Sequence, residues 1–252
     1  MRNLIFLPLI AAVATLGACN DSSAETATPK LTASGQQGQR AFQLANFDRV
    51  ALQGPDNVEV RVGPAFSVTA QGDTGMMQAL EIKLDGRTLE IGRKNTRSGF
   101  RWGGDDEEDT AAVKVVVTMP AMRGAALAGS GDLSVDRVAG DAFDASLAGS
   151  GDMLLSGLAV KNAELSIAGS GDIRASGAAD MVKVSIAGSG DADGSALAAK
   201  GAEVSIAGSG NTRLVVDGQA NVSIVGSGDV DLGPKARCQK SVMGSGDVTC
   251  GG

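Results

Sequence analysis

The sequence lacks two residue types on which much enzyme chemistry depends. Among its 252 residues there is no histidine and no tyrosine, and aromatic residues make up only 3%. Histidine is the commonest general base and metal ligand, so its absence excludes a Ser-His-Asp triad and leaves carboxylates and carbonyls for metal binding. We therefore expect no catalytic residues, no metal and no cofactor. A core with so few rings must be packed from Val, Ile, Leu and Ala.

Clustered basic residues and proline are scarce as well. The chain has 22 Lys and Arg against 29 Asp and Glu, a formal net charge of −7, and its cations form no dense run. Because nucleic-acid binding requires a basic patch, we expect no nucleic-acid partner. The 36 glycines are accompanied by only 6 prolines. This ratio excludes collagen and, if the glycines recur at a fixed period, a disordered Pro/Gly tract.

A short apolar run begins the chain. Residues 4–16 follow Arg2 and are too short for a comfortable membrane span, which is typical of a signal peptide, here residues 1–18. The tetrapeptide LGAC that ends at Cys19 resembles the lipobox of bacterial lipoproteins. The resemblance implies a lipid on Cys19, and Asn20 after it implies the outer membrane, with the protein on either its periplasmic or its surface face. The alternative is an ordinary secretory signal with an incidental cysteine.

Two further segments precede the repeats. Residues 19–40 are rich in Ser, Thr, Gln and Gly without apolar periodicity, which predicts a flexible tether. Residues 41–123 predict strands, because apolar and polar residues alternate in NVEVRV, LEIKL, TLEI and AVKVVV. The Asp-Gly step in LDGR predicts a hairpin between two of these strands.

Residues 95–110 interrupt this alternation and predict an exposed loop. The loop contains Phe100, Arg101 and Trp102, followed by five consecutive acids at residues 105–109. Two interpretations remain open. The segment is either a solvated insertion or a contact loop for a glycan or a protein partner.

From residue 124 onward the chain repeats a single phrase. Gly-Ser-Gly followed by Asp or Asn starts at Gly129, Gly149, Gly169, Gly188, Gly208, Gly226 and Gly244, at spacings of 20, 20, 19, 20, 18 and 18 residues. A fixed period of this size predicts a solenoid over residues 124–252, in which each repeat is one coil. Helical repeats are disfavoured by Gly, Ser and β-branched residues. The main competing architecture is an antiparallel meander with Gly-Ser-Gly-Asp hairpins.

The residues before each phrase predict a strand with one buried face. Two positions upstream stand only large aliphatic residues: Leu127, Leu147, Ile167, Ile186, Ile206, Ile224 and Val242. The next position back is almost always Ser, and the one before that is again mostly apolar. If the coils stack about 4.8 Å apart, the aliphatic residues form an interior column and the serines an outer ladder.

The phrase itself has the composition of a tight corner. Glycine permits positive φ and close approach of neighbouring backbones, and the following Asp or Asn is expected to bond its own backbone and cap the corner. The corner residues are Asp132, Asp152, Asp172, Asp191, Asn211, Asp229 and Asp247. Their stacking leaves open a row of cations such as Ca²⁺, which would be needed if the carboxylates were buried.

The remaining cysteines form a pair. With Cys19 set aside, Cys238 and Cys250 are an even number in an oxidising compartment, which predicts a disulfide; two free thiols are the alternative. Lys235, Arg237 and Lys240 lie close to them. Together these residues predict a C-terminal cap that blocks open-ended association.

Several of these segments together resemble one bacterial family. The lipobox, PDNVEVRVGPAFSVTAQGD, LEIKLDGRTLEI, VVVTMPAM and the serial GSGD turns are similar to the envelope proteins called putative auto-transporter adhesin, head GIN domain, over about residues 45–250. The resemblance implies an all-β fold, a right-handed single-stranded β-helix-like solenoid with an N-terminal β-rich portion. It implies no established catalytic residue.

The functional expectation is a non-catalytic lipoprotein of the cell envelope. It would touch the membrane through its lipid anchor alone and present a rigid solenoid for adhesion or for binding a glycan or an envelope protein. One alternative is a polysaccharide-active enzyme of the lyase type, which would need aligned acids and bases, whereas Arg137, Arg174 and Arg213 are scattered without a common register. The other is a periplasmic assembly or regulatory partner.

Overall fold

The computed structural model describes residues 34–94 and 112–251. The signal peptide, Cys19, most of the tether, and residues 95–110 with Phe100, Arg101 and Trp102 lie outside the described residues. The predictions made for them therefore stay predictions. No helix in the described ranges is long and apolar enough to span a membrane.

The described chain is almost entirely β-structure, with one short helix. The strands are β1 (Gln37–Phe42), β2 (Arg49–Gly54), β3 (Asn57–Val62), β4 (Ser67–Asp73), β5 (Leu80–Asp85), β6 (Thr88–Arg93), β7 (Lys114–Met119), β8 (Gly124–Gly129), β9 (Leu133–Val135), β10 (Val138–Gly149), β11 (Met153–Gly169), β12 (Ile173–Gly188), β13 (Ala192–Gly208), β14 (Thr212–Gly226), β15 (Val230–Asp231), β16 (Arg237–Gly244) and β17 (Val248–Thr249). The helix α1 (Thr74–Ala79) lies between β4 and β5.

The strands stack into parallel ladders. The first ladder runs through β6, β2, β8, the C-terminal parts of β10 to β14, and β16. The second runs through β7, β3, β9, the N-terminal parts of β11 to β14, β15 and β17. The middle parts of β10 to β14 pair in the same parallel sense. The predicted solenoid of about 20-residue coils is confirmed, with about six turns, and the antiparallel meander is wrong.

The N-terminal strands join the same solenoid. The predicted strands correspond to β3, β5, β6 and β7, and the LDGR hairpin is confirmed by the antiparallel pairing of β5 with β6. Strand β2 pairs with β8, and β3 with β9, so residues 49–62 supply strands to the coils on which the repeats are stacked.

The prediction of a flexible tether is wrong for its last residues. Residues 37–40 belong to β1, which pairs with β4 in antiparallel register. Just before β1, the Ser34 amide and hydroxyl each donate to the Asp73 carboxylate at 2.9 Å, and Asp73 also caps α1. These donors, the Ser34 amide foremost, lower the pKa of Asp73 to about 2. Strand β1 is polar because it lies at the edge of the sheet, and its composition is therefore similar to that of a linker.

The interior columns are continuous through the coils. The predicted column from Leu127 to Ile224 is buried, and its residues lie opposite one another in successive strands. Leu52 and Ile91 extend it toward the N terminus. Val242, in the last described coil, is 38% exposed, since among the described strands β16 pairs only with β14 on its inner side. The core is thus a stack of aliphatic layers, as the scarcity of aromatic residues predicted.

The glycines of the repeated phrase hold adjoining coils at backbone contact. A Cβ atom on Gly190 would overlap the carbonyl oxygen of Gly171 in the preceding coil, and one on Gly188 would overlap that of Gly169. Gly188 also has a φ of +135°, which L side chains rarely adopt. The serine between them is exposed. The two glycines therefore set how closely the coils approach, whereas the serine does not.

This difference gives a matched pair of variants. Gly190→Ala places a methyl group against the neighbouring backbone, where neither coil can yield easily, and we expect it to lower the free energy of unfolding by at least about 2 kcal/mol. Ser189→Ala in the same corner should change it by less than about 0.5 kcal/mol. Denaturant unfolding of both variants checks the prediction, and equal effects would contradict it.

Candidate binding face of the solenoid

From β2 to β16 the outer surface of the first ladder is formed mostly by small uncharged side chains, whereas β6 carries Glu90 opposite Ala51. Two positions alternate with the buried columns and point outward along each strand. The first position is occupied by Ala51, Ala126, Ser146, Ser166, Ser185, Ser205, Ser223 and Ser241, and the second by Gln53, Ala128, Ala148, Ala168, Ala187, Ala207, Val225 and Met243. We call this surface the Ser/Ala face. The sequence predicted its serine ladder but not the alanine ladder beside it.

A shallow groove runs along the Ser/Ala face from β2 to β13. It has a volume of about 540 Å³, and the described residues that line it are Ala, Ser, Leu, Ile and one Gln, none of which ionises. Five inter-strand steps of about 4.8 Å give it a length of about 24 Å. Larger side chains stand at its two ends, where Gln53 and Val225 replace the alanines of the second position. The groove is therefore elongated, open and without charge.

Charged residues border this groove along one edge. The position two residues before each serine carries Asp144, Glu164, Lys183 and Glu203 in successive coils. Arg49 bonds Asp144 at 2.7 Å, and Lys183 bonds Glu164 at 3.3 Å. None of these charged residues lines the groove, so they mark its border but do not enter it.

The coils carry a second set of paired charges away from the groove. In successive coils the sign alternates through Asp141, Lys161, Asp180, Lys200, Asp217 and Lys235. Lys161 bonds Asp141 at 2.6 Å, Lys200 bonds Asp180 at 2.7 Å, and Lys235 bonds Asp217 at 3.0 Å. The hydrogen bond between the first two lowers the pKa of Asp141 and raises that of Lys161. The inter-coil register that aligns these residues is not visible in the sequence, where the spacings vary.

The pairing of residues between successive coils also bears on the three arginines that the sequence placed in no common register. Arg174 and Arg213 lie in one outward column of the second ladder, separated by Asp193 and followed by Asp231. The expectation that they share no register is therefore wrong for these two, although Arg137 is not part of the column. Because Asp193 and Asp231 alternate with the two arginines, this column is another ladder of alternating charges.

The corner residues form a hydrogen-bonded ladder between coils. The Asp191 carboxylate accepts the backbone N–H of Asn211 at 2.7 Å, and the Asn211 side-chain oxygen accepts that of Asp229 at 2.9 Å. Equivalent bonds link the other corner residues in order: Asp132 to Asp152, Asp152 to Asp172, Asp172 to Asp191, and Asp229 to Asp247. Asn57 starts the ladder by accepting the Asp132 N–H at 3.1 Å. The expectation that each side chain caps its own corner is wrong, because it caps the next one.

This arrangement gives every corner carboxylate except that of Asp247, in the last coil, a backbone donor without a cation. A charge-assisted bond to a backbone N–H is among the stronger hydrogen bonds of proteins. The Asn211 amide group also donates to Asp191 at 3.0 Å, which separates two runs of acids. Within the described ranges, no group of three or more Asp, Glu, Cys or His side chains is placed to hold a metal ion. The alternative of a cation row remains untested.

The corner ladder can be tested at Asp191. Asp191→Ala removes the acceptor of the Asn211 backbone N–H and side-chain amide, so we expect a loss of about 1–2 kcal/mol in the free energy of unfolding. Asp191→Asn keeps a side-chain oxygen at that place and should lose clearly less. Thermal and denaturant unfolding of the two variants measures the difference. Equal losses would show that the side-chain oxygen carries no structural bond.

A buried ion pair connects the two strands that flank residues 95–110, the predicted contact loop. Asp56 is fully buried and receives two bonds from the Arg93 guanidinium, at 2.7 and 3.0 Å, and one from the Val113 N–H at 2.9 Å. Arg93 ends β6, and Val113 directly precedes β7. Removing one member of such a pair would strand a buried charge, which typically costs about 3–5 kcal/mol. Asp56 therefore secures both ends of the segment that holds Phe100, Arg101 and Trp102.

The last coil is secured by the predicted disulfide. Cys238 is bonded to Cys250, which closes a loop between β16 and the end of β17. Lys235 pairs with Asp217 in the coil below, and the Lys240 ammonium donates to the Val248 carbonyl oxygen at 3.5 Å. The interpretation of two free thiols is wrong.

The stacked coils, the corner ladder and the open Ser/Ala face define a β-solenoid protein with an elongated surface along its axis. The profile of the family described as putative auto-transporter adhesin, head GIN domain, matches residues 46–236, and the chain belongs to that family. The resemblance noted in the sequence is thereby confirmed. Among curated proteins, none matches the chain.

Solved structures share the fold. A putative adhesin from Bacteroides fragilis superposes with a TM-score of 0.75 at 16% identity, covering 86% of this chain and 98% of that one. A putative lipid binding protein from Parabacteroides distasonis gives 0.68 at 22% identity, with coverages of 86% and 98%. A putative adhesin from Parabacteroides merdae gives 0.60 at 16% identity, with 86% and 97%. At these identities the likeness shows the fold alone. The family is described by adhesion and not by an enzymatic activity, which is consistent with a protein of the cell envelope or surface.

Proposed function

We propose that the protein is a non-catalytic lipoprotein of the cell envelope that binds an uncharged ligand along the Ser/Ala face. The ligand is the neutral part of a glycan or of an envelope protein. The observation that carries this proposal is the groove of about 540 Å³, whose lining has no ionisable side chain although charges border it. The family's description as adhesins supports a binding role.

The charge distribution supports the choice of this face over the others. Other exposed columns carry Lys–Asp pairs, such as Lys161 with Asp141 and Lys200 with Asp180, which a ligand would have to desolvate before making contact. Desolvating paired charges costs free energy that a surface ion pair seldom returns. The alanine and serine side chains require no such step. A ligand that binds the groove would therefore meet a lower desolvation cost than on the faces that carry these pairs.

The repetition of the face also supports weak multivalent contact. Equivalent serine hydroxyls recur from coil to coil, so a polymeric ligand could meet the same group several times. Linked contacts of low individual affinity then give a high overall affinity, because later contacts are intramolecular. The lipid anchor proposed at Cys19 would attach the protein to the outer membrane, on its periplasmic or its surface face. Many copies on the same membrane would add a second level of multivalency.

The proposal is tested with one variant in the groove and one outside it. Ala187→Arg places a long cation in the middle of the Ser/Ala face, whereas Ala198→Arg places the same side chain at an exposed position on another face of the next coil. Binding to arrays of neutral and acidic glycans, to purified envelope proteins and to phospholipid vesicles is measured for both variants and the wild type. Vesicles are included because one structural neighbour is described as a putative lipid binding protein.

We expect the wild type to bind neutral ligands in preference to acidic ones. Ala187→Arg should weaken binding at least about tenfold, which corresponds to about 1.4 kcal/mol, and Ala198→Arg should leave it within about twofold. A ligand whose binding is equally insensitive to both variants would place the site elsewhere. Catalytic turnover of a glycan would instead favour the enzyme alternative.

A further inference from the structure

The first ladder ends in an unpaired strand at each end of the solenoid. Among the described strands, β5 pairs only with β6, and β16 pairs on its inner side with β14 and has no partner on its outer side. Each of these edges presents free backbone donors and acceptors, which can add a further strand. The two ends of the solenoid are therefore open to strand pairing in the same ladder.

The interior columns reach solvent at these same two ends. Ile82 lies opposite Ile91, and Leu84 opposite Leu89, so β5 continues the two buried columns of the first ladder. At the other end the columns finish with Val242 opposite Ile224 and Lys240 opposite Val222. Leu84 is 37% exposed and Val242 is 38% exposed. Apolar positions that would be buried by one more coil are thus uncovered at both ends.

Lys240 breaks the aliphatic pattern at the C-terminal end. It occupies a column position that is apolar in the preceding coils, and its ammonium reaches across the last coil to the Val248 carbonyl oxygen at 3.5 Å. Val248 is only 6% exposed although it belongs to the final strand β17. The lysine stem therefore covers the end of the core, and its charge would have to be desolvated by anything that stacks there.

We propose that Lys240 prevents the C-terminal end of the solenoid from docking onto the N-terminal end of a second copy. Stacking would place Val242 over Ile82 and Lys240 over Leu84 of the next copy, and β16 would pair with β5 in the antiparallel sense already used by β6. In this register Gln239 would face Asp85, and Arg237 would lie opposite Arg87 and diagonal to Asp85, so the contact rests on strand pairing and on the continued apolar columns, not on outward charges. This surface is separate from the Ser/Ala groove and does not depend on its ligand.

The proposal predicts that removing the charge opens the end. Lys240→Val extends the aliphatic column, and we expect the full chain to self-associate head to tail, with an association constant at least about tenfold above that of the wild type. Sedimentation velocity over a wide concentration range measures this. The wild type contains the same N-terminal segment and serves as reference for any association through it. Lys240→Leu is a second variant if valine disturbs the last coil.

Two further variants locate the contact. Arg237→Val removes a charge from the outward side of the same strand and should leave the association constant at the wild-type value. Adding Leu84→Lys to Lys240→Val should restore the wild-type value, because the acceptor end then carries the repelling charge. The proposal is overturned if both Lys240 variants fold and fail to associate, if Leu84→Lys does not reverse the association, or if the wild type associates equally strongly.

Discussion

The backbone contact between the glycine corners of adjoining coils is the constraint on which the rest of this structure depends. Gly188 and Gly190 lie so close to the preceding coil that any side chain there would overlap a carbonyl oxygen. This contact keeps successive coils in one register, and the register aligns the aliphatic columns inside. It also aligns the outward positions, so that a serine lies over a serine and an alanine over an alanine. The Ser/Ala face follows from corner geometry repeated without interruption.

The same register organises the charges of the surface. Where charged residues recur, their sign mostly alternates from coil to coil, as in Asp141 and Lys161 or Arg174 and Asp193. Neighbouring coils thereby attract each other where stacking of like charges would have repelled them. At the corners the acids do stack, and each one before the last coil accepts a hydrogen bond from the backbone N–H of the following corner residue. The Ser/Ala face needs neither device, which leaves it free for contact with a ligand.

The sequence predicted those parts of the fold that depend on residue types at fixed positions along the chain. The period, the interior column from Leu127 to Val242, the glycine corners and the Cys238–Cys250 bridge could all be read from residue types at fixed spacings. The direction of the corner bonds could not, because an Asp after a turn is equally suited to its own backbone or to the next coil. The edge strand β1 was missed since its polar composition matches that of a linker. The charge ladders and the alanine half of the groove require the inter-coil register, and coil lengths between 18 and 20 residues conceal it.

The most direct test of this account measures the distance between two corners in solution. Ser150 and Ser245 are exposed corner residues separated by five inter-coil steps, which at about 4.8 Å each predict about 24 Å between their backbones. Nitroxide labels on cysteines at these two positions, with Cys19 replaced by serine, allow the distance to be measured by pulsed electron paramagnetic resonance. The account predicts one narrow distribution near that value. A broad distribution, or a mean far above it, would show that the corners do not stack and would contradict the account.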